Sequence, residues 1–148
     1  MSASTQFHAL PIVRVDAEAG GAVAVTFDVP VQLRDAFTFT PGQFLTLRAT
    51  IDGQDVRRSY SICSSLHQWR TEGTVQVGIR PVEGGVFSNW AVQHLHAGDS
   101  LQVMPPQGRF CVQRPRALHR VGFAAGSGIT PILSIMASTL QEIGRAHV

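Results

Sequence analysis

The stretch "PGQFLTLRATIDGQDVRRSYSICSS", Pro41–Ser65, decides how the chain is read. Two strand-like runs flank Asp52-Gly53, a two-residue pair that favours a tight hairpin. The second run is chemically odd. Its end, Arg57–Ser65, carries two arginines, a tyrosine and four serines, and a strand facing a core needs none of them. Residues two apart in a strand share a face, so Arg58 and Tyr60 point together. Ser59 and Ser61 point the other way unless the strand bends. A guanidinium beside a phenol can grip a phosphate while the ring stacks on a flat aromatic ligand. A solvated edge strand with an Arg–Tyr pair is the plainer account of the tetrapeptide taken alone.

Outward from that hairpin, the first two thirds of the chain read as β. "ALPIVRVDA" and "AVAVTFDV" are apolar runs separated by the turn signal "EAGG". "VQLRDAF" is short and suits one helical turn. "TVQVGIR" alternates. "SLQVMPP" and "RFCVQ" read as two further short strands around Pro105, Pro106 and Gly108. Short strands at this spacing predict a small antiparallel barrel or sandwich. One helix interrupts them: in "GGVFSNWAVQHLHAGD", Val86, Phe87, Trp90, Ala91 and Leu95 fall on one helical face.

The pattern changes near Pro115. "LHRVGFAAGSGITPILSIMASTLQEI" reads as strand, Gly-rich loop and helix, with Ile132, Leu133, Ile135, Met136 and Leu140 as a buried stripe. Pro131 suits a first helical turn. This is the opening of a parallel α/β unit whose next strand should follow. We expect residues 1–114 to form the barrel domain and 115–148 the start of a truncated α/β domain.

Composition narrows the function. The chain has 148 residues, 44% of them hydrophobic and 15% charged, which marks a globular protein. Net charge is +2, too mild to argue for nucleic acid. All 12 basic residues are arginines, so every cation can make planar, bidentate contacts with phosphate or carboxylate. No apolar run reaches the ~18 residues a membrane span needs. The start lacks the features of a signal peptide, and a cytoplasmic location is expected. Cys63 and Cys111 make neither a disulfide framework nor a cluster site, and the six histidines are scattered, so no metal site is expected. Cys63 reads as a small core residue, and Arg57 as a partner for Asp55 or a solvated cation.

Two glycine-bearing stretches can meet phosphate. Gly84 and Gly85 before a helix leave its first N–H groups accessible, and such an N-terminus binds anions. Ser88 adds a hydroxyl in the first turn. An ordinary helix start explains the same residues. In "GSGITP", Gly126–Pro131, two glycines after a strand allow a backbone to approach a pyrophosphate, although proline stands where the usual dinucleotide fingerprint has glycine.

Together and in this order, "PGQF", "RSYS", "GGVFSNW", "PPQGRF" and "GSGITP" resemble the ferredoxin–NADP reductase superfamily of flavoproteins. Within it, "RSYSICSS" with "GGVFSNW" is most similar to the reductase components of multicomponent oxygenases, that of phenylacetyl-CoA epoxidase among them. The resemblance implies a six-stranded antiparallel Greek-key flavin barrel with one helix, followed by a pyridine-nucleotide domain. It implies FAD rather than FMN, with NAD(P)H as donor to the full-length protein and an iron–sulfur domain or oxygenase component as acceptor. By position, Arg58 would neutralise the flavin diphosphate. Tyr60 would stack on the isoalloxazine and Ser61 would lie near N5, the two residues closest to the chemistry. Gly85, Val86 and Ser88 would cradle phosphate. Gly126, Gly128 and Thr130 would approach the nicotinamide nucleotide. A non-redox barrel that binds oligonucleotide through Arg57, Arg58 and Tyr60 is the competing expectation. A flavin-holding domain without turnover is a third.

Overall fold

The computed structural model describes residues 5–109, 133 and 135–138. The strands are β1 (His8–Ala17), β2 (Val23–Asp28), β3 (Phe44–Ile51), β4 (Gln54–Ser61), β5 (Thr74–Ile79) and β6 (Ser100–Gln107). The helices between them are α1 (Arg34–Phe37), α2 (Leu66–Glu72) and α3 (Val86–His94). The strands form one antiparallel sheet in the order β4-β3-β6-β1-β2-β5. β1–β2 and β3–β4 are hairpins, while β6 returns to insert between β1 and β3.

Asp52-Gly53 turns the β3–β4 hairpin as expected. Ile51 pairs with Gln54, and the two loop residues have φ of 50° and 77°. Both angles are left-handed, the signature of a turn whose twist matches that of the strands it joins. Along β3, Leu45 and Leu47 are fully buried, so one face of the hairpin lines the core. Phe27, Phe37 and Phe87 fill that core with Leu10, Ile12, Ile62, Ile79 and the valines of β2 and β5. Each such side chain contributes roughly 1.5–3 kcal/mol by leaving water.

The sheet coils so that its edge strands, β4 and β5, approach each other, but no ladder of hydrogen bonds joins them. Ile62 bridges Val77, and the Cys63 N–H donates to the Gln76 carbonyl at 2.9 Å, both just past the end of β4. The expected barrel is therefore open along most of one seam. α3 packs across β3, β4 and β5 beside it.

Several local expectations need correction. The barrel does not carry a single helix: α2, unanticipated, spans two turns after β4. Ser65 caps it by accepting from the Gln68 N–H at 3.1 Å, and Gly73 ends it in the left-handed conformation. β6 runs through Pro105 and Pro106, as the stretch "SLQVMPP" implied, and extends to Gln107. Its register against β3 slips between Phe44 and Thr46, and such an irregularity tolerates residues without an N–H. Val86, placed on the buried face of α3, is 51% exposed. Leu133, placed in the buried stripe of the last helix, is 47% exposed, while Ile135 and Met136 are half-buried. Residues 135–138 are helical, and the Ser138 hydroxyl accepts from the Leu66 N–H at 3.2 Å. The strand expected at "RFCVQ" and the loop "GSGITP" lie outside the described residues, apart from Arg109.

Candidate functional site

The open seam explains why a strand carries the chemistry of Arg58–Ser61. In the β3–β4 ladder, Leu47 pairs with Arg58 and Leu45 with Tyr60. Directly paired residues share a face, so Arg58 and Tyr60 leave β4 on the side that faces the core. A neighbouring strand on that side would bury a guanidinium at heavy cost. Because β4 is an edge strand, Arg58 is exposed and Tyr60 half-buried against the core. The inward face is thus accessible at Arg58 and, in part, at Tyr60.

The Arg58 guanidinium donates to the Arg57 carbonyl at 2.6 Å, across the free edge of β4. Burial raises the Tyr60 phenol above its usual value, and the Arg58 charge opposes that rise. The two side chains are therefore close enough to feel each other, as their alternation implies. The outward face of the same strands is self-contained. Asp55 pairs with Arg48 at 3.0 Å and with Arg57 at 3.2 Å, and Thr46 meets Ser59 at 3.0 Å. The Arg57 hydrogen bond, with Arg48 helping, lowers the exposed Asp55 carboxyl. Of the two arginines that open the motif, Arg57 is matched by a carboxylate and Arg58 faces the seam.

β4 holds its register through Ser61, which pairs with Phe44. Tyr60 and Ser61 consequently leave on opposite faces. A planar ligand that meets both must lie along the free edge of β4, one of the two arrangements that alternation allows.

The start of α3 lies beside this face of β4. Phe87, in its first turn, lies against Tyr60 with ring centroids 5.9 Å apart. No side chain caps this helix: Gly85 stands at its N-cap position. A Cβ on Gly85 would meet both Ser88 Oγ and Val82 Cγ2 at 2.5 Å. The preceding loop is held by the helix itself. Ser88 Oγ accepts from the Val82 N–H at 3.2 Å, and Asn89 Nδ2 donates to the Val82 and Gly85 carbonyls at 2.7 Å each. Ser88 is buried, so its hydroxyl shapes the loop from within. A pinned, side-chain-free helix start suits a phosphate, whose charge the first N–H groups and the helix dipole would meet. With Arg58 and the Tyr60 ring nearby, the residues present fit a flavin dinucleotide. Gly126, Gly128 and Thr130 lie outside the described residues.

Among the described residues no cluster of His, Cys, Asp and Glu could hold a metal, and no helix is long and apolar enough to cross a membrane. Cys63 donates from its thiol to the Gln76 carbonyl and side-chain oxygen at 3.5 and 3.4 Å. Burial pushes this thiol from 9.0 up to about 11. The sequence placed Phe87 and Trp90 on one face of α3, and only the continuation of that ring series to His94 was missed. The signal was there, since Phe87, Trp90 and His94 follow helical spacing.

An antiparallel barrel open at one seam, with a helix start beside it, is the fold of the ferredoxin–NADP reductases. The structure of one from Neisseria gonorrhoeae with bound FAD and NADP matches with a TM-score of 0.71 at 20% identity, over 90% of this chain and 51% of that one. The flavohem-like FAD/NAD binding domain of nitric oxide dioxygenase from Vibrio cholerae O1 matches with a TM-score of 0.75 at 20% identity, over 95% and 60%. The chain belongs to the oxidoreductase FAD-binding domain family, whose pattern it matches over residues 17–112. A 1,2-phenylacetyl-CoA epoxidase subunit from Escherichia coli is 46% identical over 140 residues, 93% of this chain. The ferredoxin reductase component of 3-ketosteroid-9-alpha-monooxygenase from Rhodococcus rhodochrous is 38% identical over 138 residues, 91% of this chain. The chain spans 38% of the length of each of these two relatives. Membership of an oxidoreductase family disfavours the non-redox, oligonucleotide-binding reading.

Proposed function

We propose that this chain is the FAD-binding part of an NAD(P)H-dependent reductase that passes electrons to an iron–sulfur or oxygenase partner. The observation that supports this most is the β4–β5 seam, where the inward face of β4 opens beside an uncapped helix start. Bound there, the flavin would supply the conversion of a two-electron hydride into single electrons. Arg58 meets the diphosphate as a charge-assisted donor. Gly85 and Val86 offer backbone N–H groups to phosphate, and Ser88 holds the loop that presents them. Tyr60 covers the ring and excludes water from one side of it. Ser61, on the other face of β4, reaches the N5 edge across the strand's rim, where a hydroxyl can hold or receive a proton.

The remaining assignments concern the second domain. Residues 115–148 begin the nucleotide-binding domain, with Gly126, Gly128 and Thr130 approaching the nicotinamide nucleotide. The support for NAD(P)H and for an oxygenase or iron–sulfur acceptor is the nature of the relatives, one a subunit of an epoxidase and the other the ferredoxin reductase component of a monooxygenase.

The test is whether purified protein carries flavin. We expect a yellow protein whose released ligand has the mass of FAD. Losing a charge-assisted hydrogen bond costs about 1.5–3 kcal/mol, so Arg58→Ala should weaken FAD binding roughly ten- to hundredfold. Tyr60→Ala should shift the flavin absorption bands. Wild-type retention together with a wild-type spectrum in both variants would reject the site.

A further inference from the structure

Two stretches that the flavin site leaves without a role, "PGQF" and "PPQGRF", meet at Gln43. Thr40–Gln43 is a tight turn in which the Gln43 N–H donates to the Thr40 carbonyl at 3.1 Å. Pro41 and Gly42 fill its middle, and Gly42 has φ of 104°, the left-handed angle a type II turn needs there. The Gln43 side chain makes two further bonds. Oε1 accepts from the Thr40 N–H at 2.8 Å, and Nε2 donates to the Gly108 carbonyl at 3.3 Å. Gly108 has φ of 116°, and a Cβ there would meet the Phe44 ring at 3.0 Å, so glycine suits the passage of the chain beside that ring.

This junction sits where the sheet stops. Phe44, at the start of β3, pairs with Ser61 of β4 on one side and Gln107 of β6 on the other. One residue earlier, the Gln43 carbonyl still accepts from the Ile62 N–H at 2.9 Å. Toward β6 the side-chain amide takes over, because the Gln43 N–H is already given to Thr40. Ile62 then turns from β3 to β5, where it bridges Val77. The Ile62–Gln43 bond is thus the last tie between β3 and the strand end that carries Ser61. The turn closes through its backbone bond alone. An amide that also reaches Gly108 does something more: it fixes three chain segments to one residue.

We propose that Gln43 is a positioning residue, whose side-chain amide fixes the end of β4 and so holds the Ser61 hydroxyl where the flavin N5 edge would lie. The inference rests on the placement of Ser61 at N5. The effect passes through the backbone. The amide immobilises the Gln43 carbonyl, the carbonyl holds the Ile62 N–H, and Ile62 fixes its neighbour Ser61. A hydroxyl serves N5 only within hydrogen-bond reach, about 2.6–3.2 Å, and a frayed strand end would wander beyond it.

Amide hydrogen exchange, followed by NMR, tests the positioning without ligand. Gln43→Ala removes the amide, and Gln43→Met removes it while keeping the length of the side chain. In both, the Ile62 amide should exchange roughly tenfold faster or more, as two lost hydrogen bonds imply. The Val25 amide, on a strand paired on both sides, should keep its wild-type rate. Unchanged exchange at Ile62, or equal acceleration at Val25, overturns the proposal. FAD labelled with nitrogen-15 at N5 then reads the hydroxyl, because hydrogen bonding at that nitrogen moves its resonance. Ser61→Ala should move the resonance from its wild-type position. Gln43→Met should move it in the same direction, and adding Gln43→Met to Ser61→Ala should change nothing further. If Ser61→Ala moves the resonance and Gln43→Met does not, Gln43 takes no part in placing the hydroxyl. If Ser61→Ala leaves it in place, the N5 reading of Ser61 fails and takes this role with it. Should the protein retain no FAD, the cofactor reading fails separately, and exchange at Ile62 alone decides whether Gln43 fixes this strand end.

Discussion

Arg58 and Tyr60 show how a position's chemistry and its geometry can be legible to different degrees. Their common face followed from strand alternation alone. That this face turns inward, and yet stays open, did not follow, because it depends on β5 failing to pair with β4. The same local geometry makes Cys63 inert. Its thiol sits just past β4, donates to Gln76, and is pushed by burial from 9.0 to about 11. Two pH units mean that, below pH 9, Cys63 should be alkylated about 100-fold more slowly than an ordinary exposed thiol, since the thiolate is the nucleophile. Peptide mapping after iodoacetamide treatment separates it from Cys111. The sign of the stability effect follows from the raised value. The folded state holds the proton more tightly than the unfolded one, so this contribution is complete below pH 9 and is lost as pH rises through about 11. Cys63→Ala should flatten the fall in urea midpoint across that window. An alkaline limb of unchanged steepness in the variant would point to other groups.

Among the elements, α2 was missed although its boundaries were written in the chain. Ser65 with Gln68 three residues later is an N-terminal signature, and Gly73 is a common C-terminal one. The serine-rich end of Arg57–Ser65 drew the eye as binding chemistry, and Ser65 proves to be a helix cap. Ser65→Ala should cost about 1 kcal/mol of stability, the usual loss for such a cap. The expected readout is a lower denaturant midpoint with an unchanged slope, and flavin absorption bands like those of wild type. A loss well above this would mean that the cap also supports the seam. α2 begins beside Ser138, whose hydroxyl accepts from Leu66, and starts only four residues past Ile62 of the Ile62–Val77 bridge. β6 teaches the converse. Pro105-Pro106 would ordinarily interrupt pairing, yet a register slip against β3 absorbs both residues. Prolines signal where pairing is interrupted, but whether a strand ends or slips depends on its neighbour.

At the scale of the whole molecule, an unclosed sheet leaves stability for a ligand to supply. The core is continuous through all six strands, but β4 and β5 meet only near one end, and Arg58 and Tyr60 face the gap. A dinucleotide bound along that gap would touch β4 and the start of α3 at once, and so favour the folded state by mass action. At a free FAD concentration 100 times the dissociation constant the gain is about 2.7 kcal/mol. For a chain of this size that raises Tm by roughly 5–10 °C. The shift should grow with the logarithm of FAD concentration. Two variants divide its sources. Arg58→Ala keeps the fold, since the side chain is exposed, and needs roughly ten- to hundredfold more FAD for the same shift. Gly85→Ala puts a Cβ against Ser88 Oγ and Val82 Cγ2. It should lower Tm without ligand by displacing the Val82 loop and, if the start of α3 holds phosphate as proposed, should also blunt the FAD shift, because that helix start and the loop are one structure. Differential scanning fluorimetry of the three proteins over an FAD titration measures both quantities. If FAD stabilises Gly85→Ala as strongly as wild type at every concentration, the start of α3 takes no part in holding the dinucleotide.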